Sequence, residues 1–425
     1  MQSQLEESSL LHLFPTHKRI FYGWVIVAAI VASSSIVMGA NSSFGVFFKS
    51  LEEAYGLTRA STSAILSVRM VFNAVAAFVA GWAIDRYGPR KIVSTMGFFI
   101  GLSLVLTGLT TESWQIFITY GLLMSAGSGA IFVVATSTVL HWFNRKRGLA
   151  LGIAGAGGGI GTAAISPLSA FLIGSLQWRK SIILLGGLSC LVVLPAAQLL
   201  KKDPYEMGTM PDGEFPDDHE AGGETTETAQ HRLSLRQLFL MKNFWAIFFI
   251  WFVMAFSSFF IMTHIVPHAL DIGFSPVESA SILSVIGVAM IGGRLGSGIL
   301  SDRVSTKGIA IVSSLVQFAA ILSLVWVREL WMLYLFGIVH GLTFGSFGTA
   351  ISVLIGRIFN LGDIGKTLGV LEIGIFTGGA IGPFLGGLLF DANGSYSLAF
   401  VIMGAAVLLR IFIVTLIKPS KTDGL

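Results

Sequence analysis

Apolar runs of membrane-crossing length follow one another along almost the whole chain, separated by brief polar punctuation. A helix needs about 20 mostly apolar residues to cross a bilayer. Twelve stretches meet that requirement: 21–48, 59–84, 91–109, 114–140, 149–174, 180–200, 243–266, 276–300, 307–327, 331–355, 366–389 and 396–417. Several links, such as 110–113 and 328–330, are so short that neighbouring helices must run antiparallel. The pattern predicts an all-α membrane protein with twelve transmembrane helices.

One polar stretch breaks this rhythm. Residues 201–242 are acidic and poor in apolar residues, which marks a flexible linker dividing the spans six and six. The expected organisation is a tail at 1–20, a six-helix bundle at 21–200, a linker at 201–242, a second bundle at 243–417 and a tail at 418–425. The halves share landmarks at an offset of about 217 residues. Gly81 to Asp85-Arg86 recurs as Gly298 to Asp302-Arg303, Thr58 as Ser275, Phe143-Asn144 as Phe359-Asn360, and Pro167 as Pro383. Ser275-Pro276-Val277-Glu278 is a capping box with proline at the first helical position. Duplication of a six-helix unit gives two pseudo-symmetric bundles, with a substrate site expected between them.

Composition narrows the class. The chain is 54% hydrophobic and 12% charged, against about 25% charged in soluble proteins. Its 50 glycines and 33 phenylalanines suit helices packing closely in lipid. The net charge of +4 is no nucleic-acid footprint, because the basic residues sit in loops. With the amino terminus in the cytoplasm, about 19 of the 27 basic residues face that side, which places both termini and the linker inside. The expected setting is a plasma membrane or bacterial inner membrane, crossed many times. No cleavable signal peptide is expected, since the first 19 residues are polar and end in His17-Lys18-Arg19. The single Cys190 excludes an internal disulfide. Metal-ligand spacing and a nucleophile–base pair are absent, so neither a cofactor nor an enzyme is expected.

Three arginines, Arg69, Arg294 and Arg410, fall within spans. Guanidinium does not deprotonate, and a charge in a bilayer usually faces a polar cavity on a substrate or ion pathway. Arg294 lies about 27 Å along the eighth span from Pro276, close enough to the cytoplasmic end for snorkelling to be its alternative. Arg69 and Asn73 share a face of the second span. They read as pathway or gating residues, or else as a snorkelling arginine or one bonded to carbonyls of the eleventh span. Apart from Glu278 in the cap of the eighth span, Glu372 is the one carboxylate within a span, a proton-coupling candidate whose alternative is a structural or gating acid. His340, midway along the tenth span, is a second proton-coupling candidate, although such a histidine is more often packing. His264, near the outer end of the seventh span, is a weaker gating candidate. The glycines 374, 378, 382 and 386 of the eleventh span read as a packing or sliding surface for a rocking motion.

The run Gly81-Trp82-Ala83-Ile84-Asp85-Arg86-Tyr87-Gly88-Pro89-Arg90-Lys91 resembles the loop between the second and third helices of the major facilitator superfamily, with a proline inserted near its end. Within that superfamily the chain is similar to the monocarboxylate transporters and the oxalate–formate exchangers. The carrying residues are Tyr22-Gly23-Trp24, Val46-Phe47-Phe48-Lys49, Phe274-Ser275, Ser279-Ala280, Arg294 with Gly298, Glu372, and Gly382-Pro383. The resemblance implies alternating-access transport of a small organic anion, with Arg294 binding the carboxylate. It implies Tyr120 as a hydroxyl donor, with Asn41 and Ser42 as similar candidates; Arg69 and Asn73, from their shared face, join them as substrate-contact candidates. It also implies a cytoplasmic gate of Asp85, Arg86, Arg90, Asp302 and Arg303. Two positions depart from the animal transporters: Met290 stands where they have an aspartate, and Ser42 where they have a lysine. Coupling is thus open between proton symport and anion exchange. The rival readings are an exporter of drugs or metabolites on the same fold and a non-transporting sensor.

Overall fold

The computed structural model describes residues 21–144, 146–213, 235–300, 304–358 and 364–417. It is helical throughout its membrane part. Eleven continuous helical stretches are long and apolar enough to cross a membrane. One of them, Gly148–Gln198, is a double crossing broken at Gln177, whose φ of 67° leaves the helical region. The crossings are therefore α1 (Tyr22–Tyr55), α2 (Arg59–Ile84), α3 (Arg86–Leu109), α4 (Ser113–Trp142), α5 (148–176), α6 (178–198), α7 (Lys242–Ile272), α8 (Pro276–Leu300), α9 (Thr306–Trp326), α10 (Leu330–Ile358), α11 (Ile364–Asn393) and α12 (Ser397–Leu416).

Local chemistry sets these boundaries. Thr58 caps α2 by accepting from the Ser61 amide at 3.2 Å. At α8 the capping box closes, with Glu278 accepting from the Ser275 amide at 2.9 Å and Ser275 Oγ accepting from the Glu278 amide at 3.3 Å. Gly88, at φ 76°, kinks the chain just inside the start of α3, a backbone conformation that a side chain would strain. The regular α-helix of α1 is interrupted for one residue at Ser43, where Ser42 and Ser43 both donate to the Gly39 carbonyl, at 3.1 and 2.8 Å. Such back-bonding competes with the helix's own ladder.

Three helices outrun their hydrophobic stretches. α1 continues to Tyr55, α7 to Ile272 and α11 to Asn393, all beyond the apolar ends at 48, 266 and 389. These extensions carry Lys49, Glu52, Asp271 and Asp391 at one end of the molecule.

One apolar core gathers α1–α6 around Ile26, Phe47, Ile100, Trp142 and Ile182. Two more gather α7–α12, around Phe260, Ile286 and Phe400, and around Phe244, Phe347 and Val414. The six-helix groups meet mainly where α5 crosses α8 and α2 crosses α11. At the first crossing a Cβ on Gly159 would lie 2.6 Å from the Gly287 carbonyl, and one on Gly287 2.6 Å from that of Gly159. Only glycine at both positions permits that approach. The glycine stripe of α11 is a packing surface: Gly374, Gly378, Gly382 and Gly386 press on Phe248, Phe252, Phe256 and Phe260 of α7, within one group.

Candidate functional site

Arg294 is half-buried on α8, at the face turned to α5. Its Nη1 donates to the Gly155 carbonyl at 2.8 Å, across the two halves. A Cβ on Gly155 would sit 2.9 Å from that same nitrogen, so the glycine leaves room for the guanidinium. Among the described residues no carboxylate pairs with Arg294. A backbone carbonyl holds the group in place without neutralising it. Met290, one turn earlier, is buried against α10, where Gly345 packs on its carbonyl.

A second cation lies deep in the first half. Arg69 is 2% exposed and donates through Nη1 to the Tyr120 hydroxyl at 3.2 Å. Tyr120 in turn donates to the Ala40 carbonyl at 3.2 Å, beside Asn41. Arg69 Nε and Asn41 Oδ1 are both buried without a partner, one an N–H and the other a carbonyl oxygen. Tyr120 sits in a π-helical turn, Phe117–Leu123. Such single turns often mark functional positions. The structure thus brings Arg69 and Tyr120 together, and ties Tyr120 to the α1 backbone at Ala40, next to Asn41 in sequence. Asn73 accepts instead from Ser128 Oγ at 3.0 Å, and Ser42 pairs with Ser166 at 3.1 Å. Arg69 bonds the phenol of α4 and not the carbonyls of α11; Ser67 makes that contact, donating to the Ala380 carbonyl at 2.6 Å.

The two proton-coupling candidates part company. Glu372 is half-buried on α11. His340 is fully buried, stacked between Phe336 and Phe344, and faces Gln317 of α9 at 3.4 Å. It points away from Arg294, into the group of α9, α10 and α12. Of the residues expected to form a gate, Arg90 Nε donates to Gln198 Oε1 at 2.7 Å within the first half, and Arg86 is exposed near Trp82 and Tyr87. The side chain of Asp85, and Asp302 and Arg303 entirely, lie outside the described residues.

The helix extensions build a cluster that reading by apolar runs passes over. Arg59, at the start of α2, donates through Nη2 to Asp271 Oδ1 at 2.9 Å and through Nη1 to the Tyr396 hydroxyl at 2.6 Å. Its Nη1 also lies 2.7 Å from Asp271 Oδ2, and its Nε 3.5 Å from Glu52. Phe390 lies flat under the guanidinium at 3.7 Å. Lys49 joins Asp271 at 2.6 Å. Asp391 accepts from the Arg59 and Ala60 amides at 3.0 and 2.9 Å, so an aspartate of one half caps a helix of the other. His264 completes the cluster. Its Nε2 faces the Pro383 carbonyl, which only accepts, at 2.9 Å, so Nε2 carries the proton and Nδ1 accepts from Tyr396 at 2.9 Å. The signal in the sequence is weak: charges scattered from position 49 to 391, each beside a loop.

A cavity of about 330 Å³ lies elsewhere, between α2, α3 and α4. No charged residue is among those lining it, which include Phe72, Val79, Met96 and Phe99. Its chemistry suits an acyl chain and not an anion.

The Major Facilitator Superfamily profile matches residues 30–330 and 311–424. Monocarboxylate transporter 13 of Bos taurus is 28% identical over 393 residues, covering 91% of this chain and 87% of that protein. Monocarboxylate transporter 11 of Homo sapiens is 26% identical, covering 92% and 82%. Among solved structures, the D-xylose–proton symporter superimposes with a TM-score of 0.76 at 14% identity, over 94% of this chain and 99% of that one. A bacterial homologue of the human lysosomal transporter Spinster does so at 0.73 and 14%, over 94% and 97%. At that identity the likeness establishes the fold.

Proposed function

Because the chain belongs to the Major Facilitator Superfamily, a family of transporters and not of enzymes, we propose that it moves a small organic anion of the monocarboxylate class across its membrane by alternating access. The observation carrying the substrate class is Arg294. It is a permanently charged group on a membrane helix, held by one carbonyl of the opposite half. A planar carboxylate would accept two of its N–H bonds and cancel its charge, which the carbonyl cannot do. The likeness to monocarboxylate transporters supports the same class.

Residues 21–200 and 243–417 then act as the two rocking bodies, hinged at the glycine crossing of α5 and α8. The excess of basic loop residues supports cytoplasmic termini, which puts the Arg59 cluster on the outer face. In this arrangement the cluster holds the outer side shut, since each of its bonds to Asp271, Asp391 and Tyr396 joins one half to the other. Arg294 sits on the inner side of the α5–α8 crossing. Substrate binding would take the guanidinium from Gly155 and release one tie between the halves. On this reading Arg69, Tyr120 and Asn41 receive the anion's path further out. Proton symport would run through Glu372, whereas His340 is turned away from the route.

Uptake by proteoliposomes of lactate, pyruvate, formate and oxalate, with and without a pH gradient, tests the reading. Saturable uptake of at least one, lost when Arg294 becomes lysine, is expected. Carboxylate uptake unchanged in Arg294→Lys would overturn it.

A further inference from the structure

A third intramembrane arginine is left over. Arg410 of α12 is fully buried. Its Nη2 donates to Gln317 Oε1 at 2.6 Å and to Ser314 Oγ at 3.0 Å, both on α9. Phe347 of α10 covers one face of the guanidinium at 4.0 Å. No carboxylate pairs with it among the described residues.

What the cluster lacks is specific. Arg410 Nε and Nη1 are buried without partners. So is His340 Nε2, and its protonation follows from its neighbours. Gln317 Nε2 can only donate, so His340 Nδ1 accepts from it at 3.4 Å and the proton sits on Nε2. Ser314 already spends its hydroxyl proton on the Ala310 carbonyl at 2.7 Å. Every open position is therefore an N–H donor, and the cluster carries one uncancelled positive charge. Buried donors are nearly always satisfied, and a buried cation costs least when paired. Water could accept the hydrogen bonds but would leave the charge.

We propose that Arg410, Gln317, Ser314 and His340 form a buried site for a small monovalent anion of the halide class, inside the second half and separate from Arg294. N–H bonds of guanidinium and imidazole lie in the plane of each group. Phe347 against one face of the first, and Phe336 and Phe344 against both faces of the second, leave those in-plane edges as the positions where an anion is received. The site also has a place in the fold. One face of α10 packs on α8 through Gly341 and Gly345, against Met290 and the Arg294 backbone. The other face carries His340 and Phe347 to α9 and α12. An anion bound there would fix α10, and through it the seat of Arg294.

Full-length purified protein is melted in chloride, bromide and gluconate at equal ionic strength, with tryptophan fluorescence as the readout. Chloride and bromide should raise the midpoint saturably, on the order of 3–5 °C, and gluconate should not. The halide effect should vanish in Arg410→Met and persist in Arg294→Gln, which separates this site from the substrate anchor. Equal melting in all three salts overturns the proposal. So does a halide effect that survives Arg410→Met, or one lost in Arg294→Gln. If Arg410→Met does not fold, a bromide-soaked crystal of the unaltered protein decides. An anomalous peak within hydrogen-bond distance of Arg410 Nε or Nη1, or of His340 Nε2, supports the site. Water or empty density there at saturating bromide rejects it.

Discussion

Arg59 and Arg294 are the same chemical group under opposite treatment. Arg59 has Asp271, Glu52 and Tyr396 at its edges and Phe390 beneath it. Arg294 has one backbone carbonyl. Both contacts join the two halves, so both report the relation between them. A cation with carboxylates in place is at rest and resists separation of its partners. A cation with only a carbonyl is held in position while its charge awaits an anion. On the proposed reading this difference, and not burial, separates a latch from a binding group, since both guanidinium groups are largely enclosed.

The comparison breaks most visibly at Arg294. Lysine keeps the charge but loses the planar fork, so Arg294→Lys should lower carboxylate uptake about 100-fold, on the order of 2.7 kcal/mol of charge-assisted hydrogen bonding. Counterflow of radiolabelled lactate or pyruvate in proteoliposomes measures it. A loss below tenfold would show that the fork is not what grips the substrate.

At the latch the expected change is in population and not in binding. Arg59→Met removes the ties to Asp271 and Tyr396 but leaves the Asp391 cap, which uses backbone amides. The outward-open fraction should rise about tenfold, the equivalent of 1.4 kcal/mol. The readout is the labelling rate of Ser67→Cys by an impermeant maleimide in a Cys190→Ser background, because Ser67 sits in the α2–α11 contact that must part. Unchanged labelling would mean that Arg59 does not keep this face shut.

How much of this the sequence carried depends on the range of the interaction. Twelve apolar runs and the Thr58 and Ser275 caps are local, and they appear in the structure at the expected places. Arg69 with Tyr120 was legible as two candidates, though not as a bonded pair, because the contact spans 51 positions. The latch escaped for two physical reasons. Hydropathy ends a helix where its apolar residues stop, whereas α7 and α11 continue through polar turns supported by the opposite half. Asp391 also reads as a loop acid until it is seen to cap a helix 331 positions away. His340 is the converse case: its span suggested packing as readily as proton coupling, and the side of α10 it occupies, facing Gln317 of α9, is set by contacts its own span does not encode.

Tyr120→Phe asks whether Arg69 belongs with Arg294 on the proposed substrate path or is only structural. The change deletes one hydroxyl and leaves the ring that packs 5.0 Å from Phe44. If the phenol offers its hydrogen bond to the substrate, KM should rise about fivefold, near 1 kcal/mol, with little change in maximal rate. A fall in maximal rate at constant KM would place the Arg69–Tyr120 pair in the motion instead.

The smallest effect on rate, and the most selective, is expected at Glu372. Its carboxyl is half-buried on α11 and has no ion pair among the described residues. Glutamine has the same shape but no proton to release. If Glu372 carries the coupled proton, Glu372→Gln should change exchange without a gradient less than about threefold. It should also abolish the acceleration of uptake by an inward proton gradient. The direction follows from charge: a protonated carboxyl crosses neutral, a deprotonated one must cross charged, so acid outside favours entry only while the group can titrate. Acceleration that persists in Glu372→Gln would remove Glu372 as the proton carrier. Anion exchange, balanced by Arg294 and its substrate alone, would then be the coupling this chain uses.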